Sequence, residues 1–446
     1  MLIKFSMTKK KRERHDIFRI GFVTRARPHV MIHLRTHRRV LAASLAGTAV
    51  EFYDFYIYAT AASLVFGPLF FPAESKSIQL LSAYASFAIA FFARPVGAAA
   101  FGHFGDRIGR KSTLVASLLL MGGSTVAIAF LPTYAMAGWL APTLLCLLRF
   151  GQGFGLGGEW GGAALLAVEN APPGWHGRFG MFPQLGAPVG FIAANSFFLL
   201  LGLSLTPEQF MDWGWRIPFL ASVVLVGIGL WVRLKLTETP DFKAALAEAP
   251  PPSLPLGETM RRHPGVLIAG TVGVIACFAV YYISTAFALG YGTTNLGYGR
   301  TEFLAVQLIA ILFMAGGIIA AGWLSDIFDA RKVLIGGCAM GIIAGFLLAP
   351  LMQSGSLALI GVFLALGLTV MGFVYGPLGA WLPGLFPARV RYTGASVAFN
   401  VGGILGGGLT PVIAQLLADG GGLMLVGLYL SAACALSLVA LVLVRR

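Results

Sequence analysis

The polar segment GHFGDRIGRK, residues 102–111, occurs a second time in weaker form, as GWLSDIFDARK at residues 322–332. Each copy contains a glycine, an aspartate four residues later and an Arg-Lys pair at its end. Each copy also follows the second apolar run of its half of the chain. A polar loop that recurs at the same place in two halves indicates a duplicated architecture.

The composition is that of a membrane protein. Of 446 residues, 57% are hydrophobic and 11% are charged, whereas soluble proteins carry about a quarter charged residues. The net charge of +14 does not predict nucleic-acid binding, because the basic residues lie between apolar runs or at the termini. The cysteines lie singly in apolar runs, so we predict no disulfide framework, metal site or cofactor. They are Cys146, Cys277, Cys338 and Cys434.

Apolar runs long enough to cross a bilayer, about 20 helical residues, occur twelve times. The predicted spans are residues 40–66, 80–101, 112–131, 139–165, 178–203, 216–234, 264–291, 302–323, 333–352, 356–386, 392–417 and 422–444. Spans four and eleven contain GxxxG patterns, which allow helix backbones to approach closely in lipid. These pairs are Gly151/Gly155, Gly157/Gly161, Gly402/Gly406 and Gly403/Gly407. We predict an all-α membrane protein of twelve transmembrane helices in two pseudo-symmetric six-helix bundles.

The distribution of Lys and Arg predicts the orientation. The N-terminal side of the membrane holds 27 of the 32 basic residues, the opposite side holds three, and two lie within spans. Positive loops face the cytoplasm, so we expect both termini there.

Four segments make up the predicted organisation. Residues 1–39 form a basic tail without a signal-peptide pattern, interpreted either as an over-long start, with Met7 and Met31 available, or as a lipid-contacting arm. A first bundle, 40–235, is joined to a second, 264–444, by a proline-rich cytoplasmic linker, 236–263.

The loop Gly102-x-x-x-Asp106-Arg107-x-Gly109-Arg110-Lys111 resembles the loop signature of the major facilitator superfamily. More narrowly, the chain is similar to the metabolite:proton symporters, which carry shikimate, 2-oxoglutarate, proline or betaine. The matching segments are EFYDFYIYATAASLVFGPLFFP (51–72), FFARPVGAAAFGHFGDRIGRK (91–111), LRFGQGFGLGGEWGGA (148–163), WGWRIPFL (213–220), LTETPDF (236–242) and LFPARVRYTGAS (385–396). The resemblance implies a protein of the bacterial inner membrane that works as a monomer on a small solute and protons.

Ionisable groups at membrane depth are costly and therefore functional candidates. The interiors of the spans from residue 264 onward contain none, and no span contains histidine. Proton coupling is therefore assigned to the first half, to Asp54, Glu51 and Glu159. Glu51 and Asp54 lie on one helix face, and two carboxylates so close in a medium of low dielectric are not expected both to be charged.

Arg149 is the predicted solute-binding cation. Its planar guanidinium fits a carboxylate and could alternate between Asp54 or Glu51 and an anionic solute. The alternative is a permanent ion pair that only joins two helices. Further predicted solute contacts are Tyr58, Gln152, Trp160, Tyr281, Tyr282, Tyr375 and Asn400.

The resemblance also implies a cytoplasmic gate that joins the halves in one state and separates in another. Its residues are Gly102, Asp106, Arg107, Gly109 and Arg110, with Asp326 and Arg331 in the second copy. We predict that Arg94, near the cytoplasmic end of span two, reaches the interface as a gate or anchor.

The predicted function is proton-coupled symport of a small, carboxylate-bearing metabolite by alternating access. The chain has no GxxxxGK[ST] motif for a phosphate, so an ion gradient must supply the energy. Alternatives are a zwitterion or osmolyte symporter, or a proton-coupled exporter. An intramembrane enzyme using Glu51, Asp54 and Glu159 would leave the duplicated halves unexplained.

Overall fold

The computed structural model describes residues 28–108, 110–157, 159–235, 255–387 and 390–444, which contain helices and no β-strand. The chain divides into two units, Met1–Arg39 and Val40–Arg446. The helices of the first half are α1 (Pro28–Ala61), α2 (Gly67–Phe70), α3 (Lys76–Ile108), α4 (Arg110–Ile128), α5 (Tyr134–Ala137), α6 (Leu140–Leu156), α7 (Glu159–Glu169), α8 (His176–Ser204), α9 (Pro207–Asp212) and α10 (Ile217–Lys235).

The second half follows the short helix α11 (Pro255–Arg262). Its helices are α12 (Pro264–Tyr282), α13 (Ala288–Thr294), α14 (Arg300–Phe328), α15 (Ala330–Met352), α16 (Leu357–Tyr375), α17 (Leu378–Gly384), α18 (Arg391–Gly403), α19 (Thr410–Gly421) and α20 (Leu423–Leu443). Three π-helical segments, Ala62–Phe66, Ile283–Phe287 and Ile404–Gly408, and one 3₁₀ turn, Gly214–Arg216, connect successive helices.

The predicted spans coincide with helical segments. In the described chain, nine segments are long and apolar enough to cross a membrane: Lys76–Phe101, His176–Ser204, Gly214–Trp231, Pro264–Thr294, Arg300–Phe328, Ala330–Met352, Leu357–Gly384, Arg391–Gly421 and Leu423–Leu443. The remaining predicted spans, 40–66, 112–131 and 139–165, fall on α1, α4 and the pair α6–α7. The predicted twelve-helix membrane fold is confirmed.

Glycines allow the helices to pack at backbone distance, as the GxxxG patterns predicted. A Cβ on Gly155 would lie 2.8 Å from the Ser117 carbonyl oxygen of α4, and one on Gly402 would lie 2.7 Å from the Thr271 carbonyl oxygen of α12. Gly157 likewise lies against the backbone of α3 at Arg94. Spans four and eleven are therefore held close to their neighbours in the core of each half.

The two halves meet along pairs of helices. Helix α8 of the first half runs antiparallel to α14 of the second, with Gly177 against Gly322 at one end and Gly202 against Thr301 at the other. We name the two ends of the bundle after the aspartates found there. The Asp326 end is where α14 finishes, and the Asp419 end is where α19 finishes.

A π-helical segment helps to close the Asp419 side. π-Helical winding interrupts the regular α-helical bonding, and three carbonyl groups of Ile283–Phe287 accept side-chain hydrogen bonds. Ser63 Oγ and Tyr84 Oη, both from the first half, donate to the Ala286 carbonyl oxygen at 3.0 and 2.7 Å. Gln307 Nε2 donates to the Ser284 and Thr285 carbonyl oxygens at 3.3 and 2.9 Å.

Candidate functional site

A cavity lies between the two halves and is lined by residues of both. Two charged side chains, Glu51 and Arg94, line it. Nine aromatic side chains form most of the remaining wall: Phe52, Phe55, Tyr56, Trp160, Phe278, Tyr281, Tyr282, Tyr375 and Phe399. A central, mostly aromatic cavity with a few polar groups is typical of a small-molecule site.

Four of the lining residues have a buried polar atom without a hydrogen-bond partner in the described protein. These atoms are Arg94 Nε, Tyr281 Oη, Tyr375 Oη and Ser396 Oγ. Buried polar groups are usually paired, and leaving one unpaired costs about 1–3 kcal/mol. The cavity therefore presents donors that a polar solute could satisfy.

Arg94 lies in the cavity wall, so the prediction that it reaches the cytoplasmic interface was wrong. It is 9% exposed, and its guanidinium carbon lies 4.4 Å from the ring centre of Phe55 and 4.7 Å from that of Phe91. The reason is the rotation of α3, which turns Arg94 toward the ring of Phe55 in α1. The bounds of an apolar run do not predict that rotation.

An aromatic pair divides the cavity from a smaller one. Tyr56 and Tyr281 stack with ring centres 5.2 Å apart, and both line the two cavities. The smaller cavity continues toward the Asp419 end, where Thr285 and Gln307 line it. The two tyrosines, one from each half, thus form a partition inside the bundle.

Asp54 lies behind the cavity wall in the core of the first half. It is fully buried; Ser222 Oγ of α10 donates to its Oδ1 at 2.6 Å, and its Oδ2 has no hydrogen-bond partner among the described residues. Gln152 Nε2 of α6 donates to the Asp54 carbonyl oxygen at 2.9 Å and to Thr125 Oγ1 of α4 at 2.8 Å. The Asp54 carboxyl group therefore links α1 to α10 through Oδ1, while Oδ2 accepts no hydrogen bond from the described residues.

The predicted pairing of Arg149 with Asp54 is not formed. Arg149 is fully buried, its Nη1 donates to Gln152 Oε1, and its Nε donates to the Phe87 carbonyl oxygen at 3.3 Å. Its guanidinium carbon lies 4.3, 4.0 and 4.7 Å from the ring centres of Phe55, Tyr58 and Phe87. Cation–π contacts and the Gln152 amide therefore stabilise the Arg149 guanidinium, where the sequence predicted a carboxylate.

The other predicted solute contacts divide into two groups. Trp160, Tyr281, Tyr282, Tyr375 and Asn400 line the cavity together with Glu51. Tyr58 and Gln152 do not line it; Tyr58 Oη is hydrogen-bonded to Ser86 Oγ at 2.9 Å, beside Arg149. Both lie beside Arg149 in the core of the first half, away from the cavity.

Two cavity residues also tie the halves together. Trp160 stacks on Phe399 with ring centres 3.7 Å apart, and Asn400 Nδ2 donates to the Gly157 carbonyl oxygen at 3.0 Å. Both contacts join α6–α7 to α18. They lie on the side of the cavity nearer the Asp326 end, opposite the Ala286 contacts.

Asp326 joins the halves at its own end. Its Oδ1 accepts from Gly177 N at 2.7 Å, and Oδ2 accepts from Arg178 N at 3.2 Å and lies 3.0 Å from Arg178 Nε. A carboxylate at a helix N-terminus is favoured by the free N–H groups and the helix dipole. Asp326 of the second half therefore caps α8 of the first.

Arg331, predicted as part of the same gate, has a different position. Its Nε and Nη2 donate to the Leu441 and Val442 carbonyl oxygens at 2.5 and 2.6 Å. It therefore caps the C-terminal end of α20 within its own half. The side chains of Asp106, Arg107, Arg110 and Glu159 lie outside the described residues, as does all of Gly109; of Gly102, only its place in α3 is described.

Sequence reasoning missed Ser222 and Arg178. Ser222 follows WGWRIPFL (213–220) in an apolar span, where a single hydroxyl gives no signal. Arg178 begins span five and was counted only as a positive loop residue. In the described residues, no group of three or more His, Cys, Asp or Glu side chains is placed to hold a metal ion.

Comparison with known sequences identifies a family over most of the chain. The Major Facilitator Superfamily matches residues 44–411. The chain is 51% identical over 418 residues to the inner membrane metabolite transport protein YhjE of Escherichia coli (strain K12), covering 93% of this chain and 95% of that protein. It is 38% identical over 411 residues to the shikimate transporter of the same strain, with 91% and 94% covered. A proline/betaine transporter of Salmonella typhimurium is 32% identical over 395 residues, with 86% and 78% covered.

Solved structures show the same fold at low identity. The partially occluded, inward-open xylose transporter XylE of E. coli matches with a TM-score of 0.70 at 16% identity, covering 90% of this chain and 95% of that one. A D-xylose–proton symporter matches with a TM-score of 0.69 at 18% identity, covering 90% and 96%.

Proposed function

Since the chain belongs to the major facilitator superfamily, we propose that it is a proton-coupled symporter that carries a small, carboxylate-bearing metabolite by alternating access. Its relatives include metabolite transporters of the inner membrane, one of them named for shikimate. The chain is accordingly a multi-pass membrane transporter and not an enzyme. The proposal includes three further points: the protein moves the solute into the cell, it works as a monomer, and both of its termini lie in the cytoplasm.

The observation that carries the proton coupling is the environment of Asp54. Its carboxyl group is fully buried, one oxygen accepts from Ser222, and the other has no partner in the described protein. Intramembrane carboxyl groups of this kind mark proton pathways. A group with an open oxygen can take up and release a proton while Ser222 and the Gln152 network hold it in place.

The position of Asp54 also supports a coupling role. Its side chain contacts α10 through Ser222, and its carbonyl group contacts α6 through Gln152. Phe55, the next residue, lines the solute cavity. A change in the proton occupancy of Asp54 would therefore act on α1 where α1 faces the solute.

Contacts at both ends of the cavity support alternating access. Asp326 joins the halves at one end. At the other end, Ser77 Oγ of α3 donates to Asp419 Oδ1 at 3.0 Å, and Ser63 and Tyr84 donate to Ala286. Such polar contacts can break on one side while the other stays closed, which moves a central site between the two faces. In this scheme the bundles 40–235 and 264–444 rock about the cavity, with the linker 236–263 between them and the tail 1–39 ahead of them.

Replacing the proposed proton carrier tests the function. In proteoliposomes with an imposed pH gradient, Asp54→Asn is expected to abolish uphill uptake of a carboxylic acid. It should keep exchange of labelled for unlabelled solute, because Asn has nearly the same shape but cannot cycle a proton. Glu208→Gln is the control: hydrogen bonds from its own backbone N–H and from Thr206 lower the pKa of this exposed carboxyl, so it stays ionised.

Two results would count against the proposal. Gradient-driven accumulation by Asp54→Asn would remove Asp54 from the coupling step. Failure of the wild-type protein to take up any small carboxylic acid would remove the assigned solute class.

A zwitterion is the second candidate solute, favoured by the cavity lining. Aromatic rings attract quaternary ammonium groups, and Glu51 lies in the same wall as Arg94. A betaine could place its cation among the rings and its carboxylate on the guanidinium. Uptake of labelled glycine betaine that exceeds uptake of shikimate and other acids would favour this candidate.

A further inference from the structure

We propose that Arg94 is the residue that binds the carboxylate of the solute, and that Arg149 belongs to the proton-carrying network behind Phe55. This inference rests on the proposed function and names the recognition group of its site. It gives Arg94, predicted from the sequence as a gate or anchor, the solute-binding role that was predicted for Arg149.

Arg94 and Arg149 differ in whether they line the cavity. Arg94 lines the cavity, and its Nε is buried without a hydrogen-bond partner in the described protein. Hydrogen bonds between guanidinium and carboxylate groups are among the strongest in proteins, and planar arginine favours a bidentate pair. A solute carboxylate would supply the acceptor that Arg94 Nε lacks.

Arg149, in contrast, is enclosed by protein. It is fully buried and is not part of the cavity wall. Phe55 lies in that wall and contacts the guanidinium of Arg149 as well as that of Arg94, at 4.3 and 4.4 Å from its ring centre. A solute would have to displace the Phe55 ring to reach Arg149.

Other polar groups of the cavity wall complete the recognition site. Around Arg94, the cavity offers the unpartnered hydroxyl groups of Tyr281, Tyr375 and Ser396. Glu51 is the other charged side chain of the wall and favours hydroxyl or ammonium donors over a second carboxylate. The site therefore fits a small molecule that has one carboxylate together with hydroxyl or ammonium groups.

The shared ring also gives the two arginines an electrostatic connection. Two guanidinium groups that contact one phenyl ring repel each other at low dielectric. A carboxylate bound to Arg94 reduces that repulsion and thereby stabilises the charged Arg149. Solute binding and the Asp54 network are linked in this way without direct contact.

The test compares carboxylic acids with their uncharged methyl esters by calorimetric titration of purified protein. Shikimate, methyl shikimate and a panel of small monocarboxylates with their esters are the probes. The wild-type protein should prefer the acid by about tenfold to a hundredfold, the range of a charge-assisted hydrogen bond. Arg94→Gln should lose this preference, Arg149→Lys should keep it, and Arg261→Gln, at an exposed position of α11, is the charge-matched control.

Each outcome bears on a separate claim. If the wild-type protein prefers the acid and Arg94→Gln prefers it equally, the role of Arg94 is refuted while the proposed function stands. If no acid in the panel binds the wild-type protein, the solute class fails and this inference fails with it. Should Arg94→Gln not fold, as judged by gel filtration, Arg94→Lys replaces it; a folded Lys variant with the full wild-type preference counts against bidentate binding.

Discussion

Gln152 is the central member of a polar network that joins three helices of the first half, α1, α4 and α6. Gln152 accepts from Arg149 and donates to Thr125 and to the Asp54 carbonyl oxygen. It thereby neutralises part of the cost of placing a guanidinium in the protein core. Without it, Arg149 would lose its one side-chain acceptor and keep only the Phe87 carbonyl group and the surrounding rings.

Gln152→Leu tests this network at the residue scale. The change keeps much of the side-chain volume and leaves three buried polar groups without their partner, so it should lower stability by about 1–3 kcal/mol. Thermal unfolding in detergent measures the loss. Gln353→Leu, at an exposed position after α15, should unfold within error of the wild-type protein; equal stability of both variants would contradict the proposed importance of the network.

At the scale of helices, close packing depends on where each glycine faces. Gly153 of α6 lies directly on the backbone of Ala90 in α3, whereas Gly123 of α4 has no neighbouring atom within 4 Å of a built Cβ. The same substitution therefore has opposite consequences on two helices of the same half. Helix propensity favours alanine over glycine by about 1 kcal/mol at both positions, so packing decides the difference.

Gly153→Ala and Gly123→Ala form a matched pair. Gly153→Ala should destabilise the protein by about 1–3 kcal/mol, since α3 and α6 must move apart to accept the methyl group. Gly123→Ala should be neutral or slightly stabilising. Thermal unfolding of the two variants gives the comparison, and an unchanged midpoint for Gly153→Ala would show that the helices are not in backbone contact.

For the whole molecule, the two ends of the cavity are closed by different chemistry. The Asp326 end is held by an ion pair and a helix cap, and the Asp419 end by hydroxyl groups that donate to Ala286. Cys277 lies in the cavity wall between them and is 1% exposed. Its reaction with a thiol reagent reports whether either end has opened.

Weakening the contacts at one end should increase the labelling of Cys277 from outside the cell, and weakening those at the other end should decrease it. In whole cells, with the other three cysteines replaced, Tyr84→Phe should increase labelling of Cys277 by a membrane-impermeant maleimide. Asp326→Asn should decrease it, because it favours the state open to the cytoplasm. Arg331→Gln is the control, since Arg331 caps α20 within one half. The reverse pattern would invert the predicted topology, and no change in either variant would contradict both gates.

The amino-acid sequence by itself determined the membrane class, the twelve spans, the duplicated halves and the confinement of midmembrane charge to the first half. These properties follow from local composition, because a run of about 20 apolar residues is long enough to cross a bilayer as a helix. The glycine patterns also predicted close packing of spans four and eleven correctly. No long-range contact was needed for these conclusions.

The tertiary structure alone decided which charged groups meet. Arg94 lines the cavity because the packing of α3 against α1 places it beside Phe55. Arg149 points instead into a cage of aromatic rings, and Asp54 pairs with Ser222, 168 residues away along the chain. Hydropathy identifies a span but not its rotation or its neighbours, and these are set by how twelve helices pack against one another.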